Sequence, residues 1–356
     1  MIDPTLSLLV ITQKVDRNDS NLGSFHEWLL RLSLQVKKLT VICLEKGSCD
    51  LPANVEVLSL GKEVGASRSK YIVNFYRYII SRRGQYDGVW VHMNQIYVIL
   101  GALFWKSWKK PILLWYVHRS VSATLRLAEK LVNNIFTTSP ESFRLPSHKV
   151  EYVGHGIPVE LFTAVPKLSC NPLKLITTGR ITESKDLETI IRSVVRLKVL
   201  LPESEILLTV VGEPIRSDDQ LYFQKIQTLV QELDLGTNVI FTGKMTNTDL
   251  REVLAQQSVF INASRTGSVD KAVLEALAAR LPVVTSNEAF LPLTNEGIVM
   301  TFQEGESSNL AEVIEKICHS GILTPNQKGR EYVIKNHNLT VLIDRIVTYF
   351  IAATSI

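Results

Sequence analysis

The 356-residue chain has only four cysteines, Cys43, Cys49, Cys170 and Cys318, and none stands in a CxxC or Cys/His arrangement. That spacing argues against a structural zinc site. Cys43 lies inside an apolar run and reads as a core thiol, and the pattern fits a reducing cytosol. There is no G-x-G-x-x-G, which argues against a dehydrogenase, and no Walker A sequence, which argues against a P-loop ATPase. A G-x-S-x-G elbow for a hydrolase is missing too, as is a clear D-x-D pair for a divalent metal. The sequence opens without the basic start of a signal peptide: Asp3 and Pro4 precede only a short apolar run, Leu6–Ile11. Without that route the Asn-x-Ser/Thr sequons at Asn18, Asn262 and Asn338 carry no weight. Long apolar runs are also scarce. Gly88–Trp105 lacks Asp, Glu, Lys and Arg and touches the length of a membrane span, but His92, Asn94 and Gln95 interrupt it. A strand, a polar turn and a helix explain it better.

What is present is a globular chain long enough for two domains, with 46% hydrophobic and 21% charged residues. Its net charge of +4 is uneven: residues 1–165 hold 20 Lys and Arg against 13 Asp and Glu, and the remainder 19 against 22. The basic half fits contact with something anionic, a membrane surface or a phosphate-bearing acceptor, and equally fits chance surface charge.

Apolar runs alternate with helical patterns throughout. Leu6–Thr12, Leu39–Leu44, Val55–Leu60, Gly88–His92, Ile112–His118 and Asn134–Thr137 read as strands, with helices at Gly23–Gln35, Ser67–Arg82, Ile96–Trp108 and Ser122–Leu131. The second half repeats the scheme. Strands fall at Leu173–Thr178, Ile206–Val211, Val239–Phe241, Ser258–Asn262 and Pro282–Thr285, and helices at Asp186–Leu201, Asp218–Leu233, Asn247–Gln256 and Asp270–Ala279. Such alternation predicts an α/β protein of two doubly wound, Rossmann-like domains facing a cleft. A break around Lys167–Asn171 places the linker there, giving domains of residues 1–165 and 170–335. A last amphipathic pattern, Thr340–Ala352, fits packing on either domain.

Ligands of such folds sit beyond the carboxyl ends of the strands. One strand runs into Gly179, with Arg180 and Lys185 flanking the next helix start. Two cations at a helix N-terminus suit a diphosphate, although an exposed loop with solvated cations reads the same way. Another strand runs from Asn262 through a loop containing Gly267 and Ser268, a fair N-cap, into a helix beginning near Val269. Glu275 lies inside that helix, where a carboxylate can accept bonds from a ribose diol; alone it reads as a solvated charge. Gly212 and Glu213 end a third strand, Gly23 and Ser24 open the first helix, and His118 ends a strand of the first half. His92 and His155 are weaker candidates.

In this order the segments resemble the retaining glycosyltransferases of family 4, the group 1 set with the GT-B fold. The carrying residues are Thr178-Gly179-Arg180 with Lys185, Val210–Pro214, Val239–Met245, and Val259–Ser264 leading to Ala272–Val284. The first half resembles the family at Leu22-Gly23-Ser24, His118 and Val153–Pro158. The resemblance implies that Arg180 and Lys185 hold the donor diphosphate and stabilise the leaving group, and that His118 reaches the sugar or reacting centre from the other domain. Glu275 would bind the ribose and Gly243-Lys244-Met245 would border the base, while Gly267, Ser268, Val269, Asp270 and Lys271 would face the sugar and phosphates. Gly23 and Ser24 would lie near the diphosphate or acceptor. The C-terminal helix, about 340–356, would pack back on the first domain. The family often has two glutamates with seven residues between them; here the first position is Gly267, which leaves the usual sugar-contacting acid missing. His155 likewise stands where Asn is usual.

The implied activity is metal-independent, retaining transfer from a nucleotide-diphosphate sugar, UDP or GDP type, to a glycan, lipid-linked or other hydroxyl acceptor. No cofactor and no nucleic-acid partner are expected. The setting would be polysaccharide biosynthesis in the cytoplasm, with peripheral contact to an anionic membrane at its inner face. Two other readings stay open: a catalytically silent nucleotide-sugar-binding partner protein, and another GT-B enzyme such as a nucleotide-sugar epimerase.

Overall fold

The structure is a computed structural model that describes residues 5–19, 22–321 and 323–355. Asp3 and Pro4 lie outside them. The chain divides into two compact units, residues 1–156 with 337–356, and residues 157–336.

The first unit is a seven-stranded sheet in the order β3-β2-β1-β4-β5-β6-β7, parallel throughout. Its strands are β1 (Ser7–Val15), β2 (Lys38–Lys46), β3 (Val55–Ser59), β4 (Gly88–His92), β5 (Ile112–Trp115), β6 (Asn134–Thr137) and β7 (Val150–Tyr152). Successive side chains alternate faces. Leu8 and Val10 therefore enter one core with α1 (Gly23–Ser33) and α11 (Leu339–Thr354), while Leu9 and Ile11 enter another. That second core is covered by α2 (Arg68–Ser81), α3 (Gln95–Ser107) and α4 (Ala123–Leu131). Gly88–Trp105 is thus a strand followed by a helix, and no helix among the described residues is long and apolar enough to cross a membrane.

The last helix packs on the first unit. Leu339, Leu342, Ile343, Ile346, Val347 and Phe350 recur at three- and four-residue steps and are buried on one stripe. Asn338 caps the helix, and Arg31 and Gln35 of the α1 region donate to Thr340 and Asp344.

Two histidines are buried in this unit. His92 stacks on Phe25 at 3.9 Å, its Nδ1 lies 3.1 Å from Thr12 Oγ1, and burial pushes its ring down to about 3. Burial holds His337, whose Nδ1 accepts the His155 N–H at 3.2 Å, down at about 4. Below about pH 6.5 the unfolded chain takes up protons at these rings that the folded unit refuses. The stability they give is therefore full at neutral pH and falls toward their folded values, by about 2 kcal/mol each at pH 5. Melting temperature should drop between pH 7 and pH 5, and His92→Gln should flatten the slope; a flat wild-type profile would contradict this.

The second unit is a six-stranded parallel sheet, β10-β9-β8-β11-β12-β13. Its strands are β8 (Leu173–Thr178), β9 (Ile206–Val211), β10 (Val239–Gly243), β11 (Val259–Asn262), β12 (Val283–Thr285) and β13 (Met300–Thr301). Helices α5 (Leu187–Leu200), α6 (Ser217–Glu232) and α9 (Ser307–His319) serve one core. Helices α7 (Asn247–Leu254), α8 (Lys271–Ala278) and α10 (Gln327–His337) serve the other.

The segment from Ile157 to Phe162 belongs to this unit, upstream of the break that set the expected boundary at residue 165. Ile157, Val159 and Phe162 are buried in the second core, and Arg330 donates to the carbonyls of Val159 and Phe162 at 3.1 and 2.8 Å. Cys170 and Cys318 are joined in a disulfide within the unit. Their separation of 148 residues hides that pairing from any reading of spacing. Cys43 is a buried free thiol, pushed up to about 12 by burial.

Candidate functional site

Strand order reverses direction at β8: the chain steps outward through β9 and β10, then returns to β11 on the other side. Open α/β sheets bind ligands at the carboxyl ends beside such a switch point. Here that crevice lies between the loops after β8 and β11.

The rim is built from glycine turns. Gly179 (φ +133°) donates its N–H to the Val211 carbonyl at 3.0 Å, and Gly212 (φ +142°) donates to the Gly243 carbonyl at 2.9 Å. A Cβ at Gly212 would run into the Gly179 carbonyl, so the two backbones approach only because Gly212 lacks a side chain. Beyond them Lys244 pairs with Glu213 at 3.6 Å, and Met245 is half-buried against the core.

Two ion pairs lock the loop after β8 to the loop after β11. Lys185 Nζ sits 2.9 and 2.8 Å from the Asp270 carboxylate oxygens, with the lysine side chain 19% exposed. Arg265 donates to Asp186 at 2.7 Å, and its backbone N–H to the Ser184 carbonyl at 2.9 Å. Asp186 adopts φ +46° and caps α5 through Thr189. Burial by itself would raise the Asp270 carboxyl. The Lys185 charge, with bonds from Lys185, Asn262 and Ser264, outweighs it and holds the group below the usual carboxylate range. Arg180, in the same loop after β8, is exposed and makes no hydrogen bond or ion pair among the described residues.

Asp270, rather than Ser268, is the N-cap residue of α8, and its side chain makes no cap bond because it is turned to Lys185. Ser268 instead donates to Thr266 at 3.2 Å. Glu275 pairs with Lys271 at 3.1 Å and is 13% exposed, which rules out a freely solvated helix charge. A polar ladder closes the floor: Thr285 donates to Asn262 at 3.1 Å, Asn287 N–H to Thr285, and the Asn287 amide to the Ser268 carbonyl at 2.9 Å. The side chains of Asn262, Thr285 and Asn287 are buried. The arrangement offers one free and one partly neutralised cation, a short helix's N-terminus and a half-buried carboxylate, which suits a phosphorylated ligand with hydroxyl groups.

Residues 162–338 match the family described as Glycosyl transferases group 1. This segment of the chain belongs to that family. The structural likeness runs wider than the group 1 segment. A protein of Anabaena, Alr3699/HepE in complex with UDP, superposes over 98% of this chain and 100% of its own at 14% identity and a TM-score of 0.75. A glycosyltransferase from Rickettsia africae ESF-5 does so over 98% of each chain at 14% identity and a TM-score of 0.75. Sucrose-phosphate synthase from Thermosynechococcus elongatus covers 98% and 99% of the two chains at 15% identity and the same TM-score. At these identities the likeness shows the fold, α/β of the GT-B type. No curated protein matches the sequence.

Within the group 1 segment the structure brings Gly179, Lys185, Gly212, Gly243 and Asp270 to one end of one sheet. The first-half candidates lie in the other unit. Gly23 is the buried first residue of α1, with Ser24 half-buried beside it. β5 stops at Trp115, so His118 is in an exposed loop rather than at a strand end, its Nδ1 accepting the Ser120 N–H at 3.0 Å. Asn262 and Arg265 stand in the loop segment that the sequence singles out, but without a role of their own; Thr285, Asn287 and Glu288 were missed, and the Thr-Ser-Asn that closes the β12 run was their sequence signal.

Gly267 does not leave an open space. It adopts φ +61°, and a Cβ there would run into the Glu288 carboxylate, which reaches in from the turn after β12. Gly267→Glu would meet a left-handed backbone costing about 1–2 kcal/mol and a like charge. The expected result is weaker donor binding by calorimetry, with no gain for any donor; unchanged affinity would contradict it.

Proposed function

We propose that the chain transfers a sugar from a nucleotide-diphosphate sugar to a hydroxyl of a glycan or lipid-linked acceptor, with retention and without a metal ion. The observation that carries this reading is the convergence of Arg180, Lys185 and the start of α8 at the β8/β11 switch point, in a segment of the glycosyl transferases group 1 family. Glycosyl transfer builds negative charge on the departing phosphate oxygen, and fixed cations and backbone N–H groups stabilise it most when water is excluded. Arg180 and Lys185 would take the diphosphate, the Lys185 ammonium exchanging part of its contact with Asp270 for the incoming phosphate. Glu275 would accept the ribose hydroxyls, and Gly243, Lys244 and Met245 would border the base. UDP is the nucleotide first to be tried, since the Anabaena neighbour is a UDP complex. Polysaccharide or glycolipid assembly is the setting that this acceptor class suggests.

The Lys185–Asp270 pair also supports a second reading, a nucleotide-sugar-binding partner without turnover, because a neutralised lysine stabilises a leaving group less. One experiment separates them: a panel of UDP- and GDP-sugars incubated with the purified chain in excess EDTA. Release of the nucleoside diphosphate with a new glycoside by mass spectrometry is expected. A donor-dependent rise in melting temperature without release would favour the silent binder. Activity lost in EDTA and restored by Mg²⁺ would overturn the metal-free mechanism.

A further inference from the structure

Helices α2 and α3 of the first unit lie side by side: the Tyr76 hydroxyl donates to the Leu100 carbonyl at 3.2 Å, and the Tyr76 and Phe104 rings are 5.5 Å apart. Their inner stripes enter the core through Phe75, Ile79, Val98 and Ala102. Their outer stripes are apolar as well. Ile72, Val73 and Ile80 on α2 and Ile96 and Leu103 on α3 are exposed, Val73 at 63% and Leu103 at 78%. Amphipathic helices of globular proteins normally turn polar side chains outward, so two adjacent helices exposing aliphatic stripes mark a contact surface.

The charge around the stripe has one sign. Residues 64–128 contain ten Lys and Arg and a single acid, Asp87, and neither helix carries an acidic residue. Some of these cations are engaged inside the unit. Arg82 is bonded to Glu56 at 2.7 Å, Lys110 folds over the Tyr86 ring at 4.4 Å, and Arg77, though exposed, lies over the Tyr78 ring at 4.9 Å and donates to its hydroxyl at 3.1 Å. Trp105 is fully buried. Arg68, Lys70, Arg77, Arg83, Lys106 and Lys109 remain exposed, and none forms an ion pair among the described residues. They stand at both ends of the stripe and beside its middle.

We propose that this α2–α3 face docks peripherally on an anionic lipid bilayer, with Val73 and Leu103 entering the headgroup boundary and the six cations meeting the lipid phosphates. Exposed aliphatic side chains framed by exposed cations without acidic partners are the surface that an anionic interface complements. A second copy of the same face would bring these cations against each other, which disfavours self-association. The proposal stands independently of the transfer reaction, because none of these residues belongs to the candidate site.

The test is flotation of the full chain with vesicles of phosphatidylcholine alone and of phosphatidylcholine with phosphatidylglycerol, at low and high salt. Each cation near an anionic surface is worth roughly fivefold in partition. Arg77→Glu/Lys106→Glu/Lys109→Glu should therefore reduce partition onto the anionic vesicles by about a hundredfold, the product of three such contacts. Val73→Ser/Leu103→Ser should weaken binding even at low salt. Both variants should keep the wild-type melting temperature and donor turnover. Equal recovery with neutral and anionic vesicles would overturn the proposal, as would variants that float like wild type. A dimer in sedimentation that Leu103→Ser dissolves would assign the face to a second copy and overturn it too.

Discussion

Arg180→Ala and Lys185→Ala are each expected to lower turnover by roughly two to three orders of magnitude, the usual loss when one oxyanion donor is removed, but with different effects on stability. Arg180 is exposed and makes no ion pair among the described residues, so its loss should leave the melting temperature where it was. Lys185 is different. Removing it leaves the buried Asp270 carboxylate with only Asn262 and Ser264, and breaking a buried pair typically costs about 3–5 kcal/mol. Lys185→Ala should therefore lose both activity and stability. Adding Asp270→Asn removes the orphaned charge and should restore most of the stability while turnover stays low. The same Asn change alone should release Lys185 to the phosphate and tighten binding of the free nucleoside diphosphate. Turnover and melting curves on the four variants decide the matter. Wild-type rates in Arg180→Ala and Lys185→Ala would dismiss the diphosphate assignment.

The second large effect concerns α11. Phe350 is fully buried, and its ring occupies the space where a side chain at Gly88 would stand. Phe→Ala in such a core costs about 3–5 kcal/mol, a large fraction of the 5–15 kcal/mol that holds a typical domain together. Phe350→Ala should lower the melting temperature of the first unit by on the order of 10 °C. The second unit's transition in calorimetry should not move, since its cores are separate. A chain ending before Leu339 loses the whole buried stripe and uncovers Trp28, Leu29 and Leu32. It should be recovered with the first unit cleaved by protease and the second intact. Equal protection of both units would show that the helix contributes little.

Most strands and helices were legible because each unit's sheet is parallel and covered, which makes its strands near-continuous apolar runs. Gly179 and Gly212 were legible as turns for the same reason: each ends such a run. The pattern failed where elements are short or polar. Met300–Thr301 is two residues long, and α10 carries Lys328, Arg330, Glu331 and Lys335 with few apolar positions. The α9 stripe of Leu310, Ala311, Ile314 and Ile317 was readable at helical spacing and was missed. Partnerships across the chain could not be read at all. Lys185 and Asp270 are 85 residues apart, and nothing local in either segment says that they meet. The same holds for Glu288 at Gly267, where a carboxylate from the next strand's turn occupies the place that the sequence left to a glycine.

The division of the chain has a consequence for biosynthesis. The second unit's 180 residues, 157 to 336, are translated between the two pieces of the first. At typical elongation rates of about 5–20 residues per second that interval lasts roughly 10–40 s. Throughout it the α1 side of the first sheet waits without its covering helix, and Trp28 and Leu32 lack their final partners on the nascent chain. The second unit, contiguous in sequence, can close on the ribosome first, while the first remains a client for chaperones until residues 337 to 356 leave the tunnel.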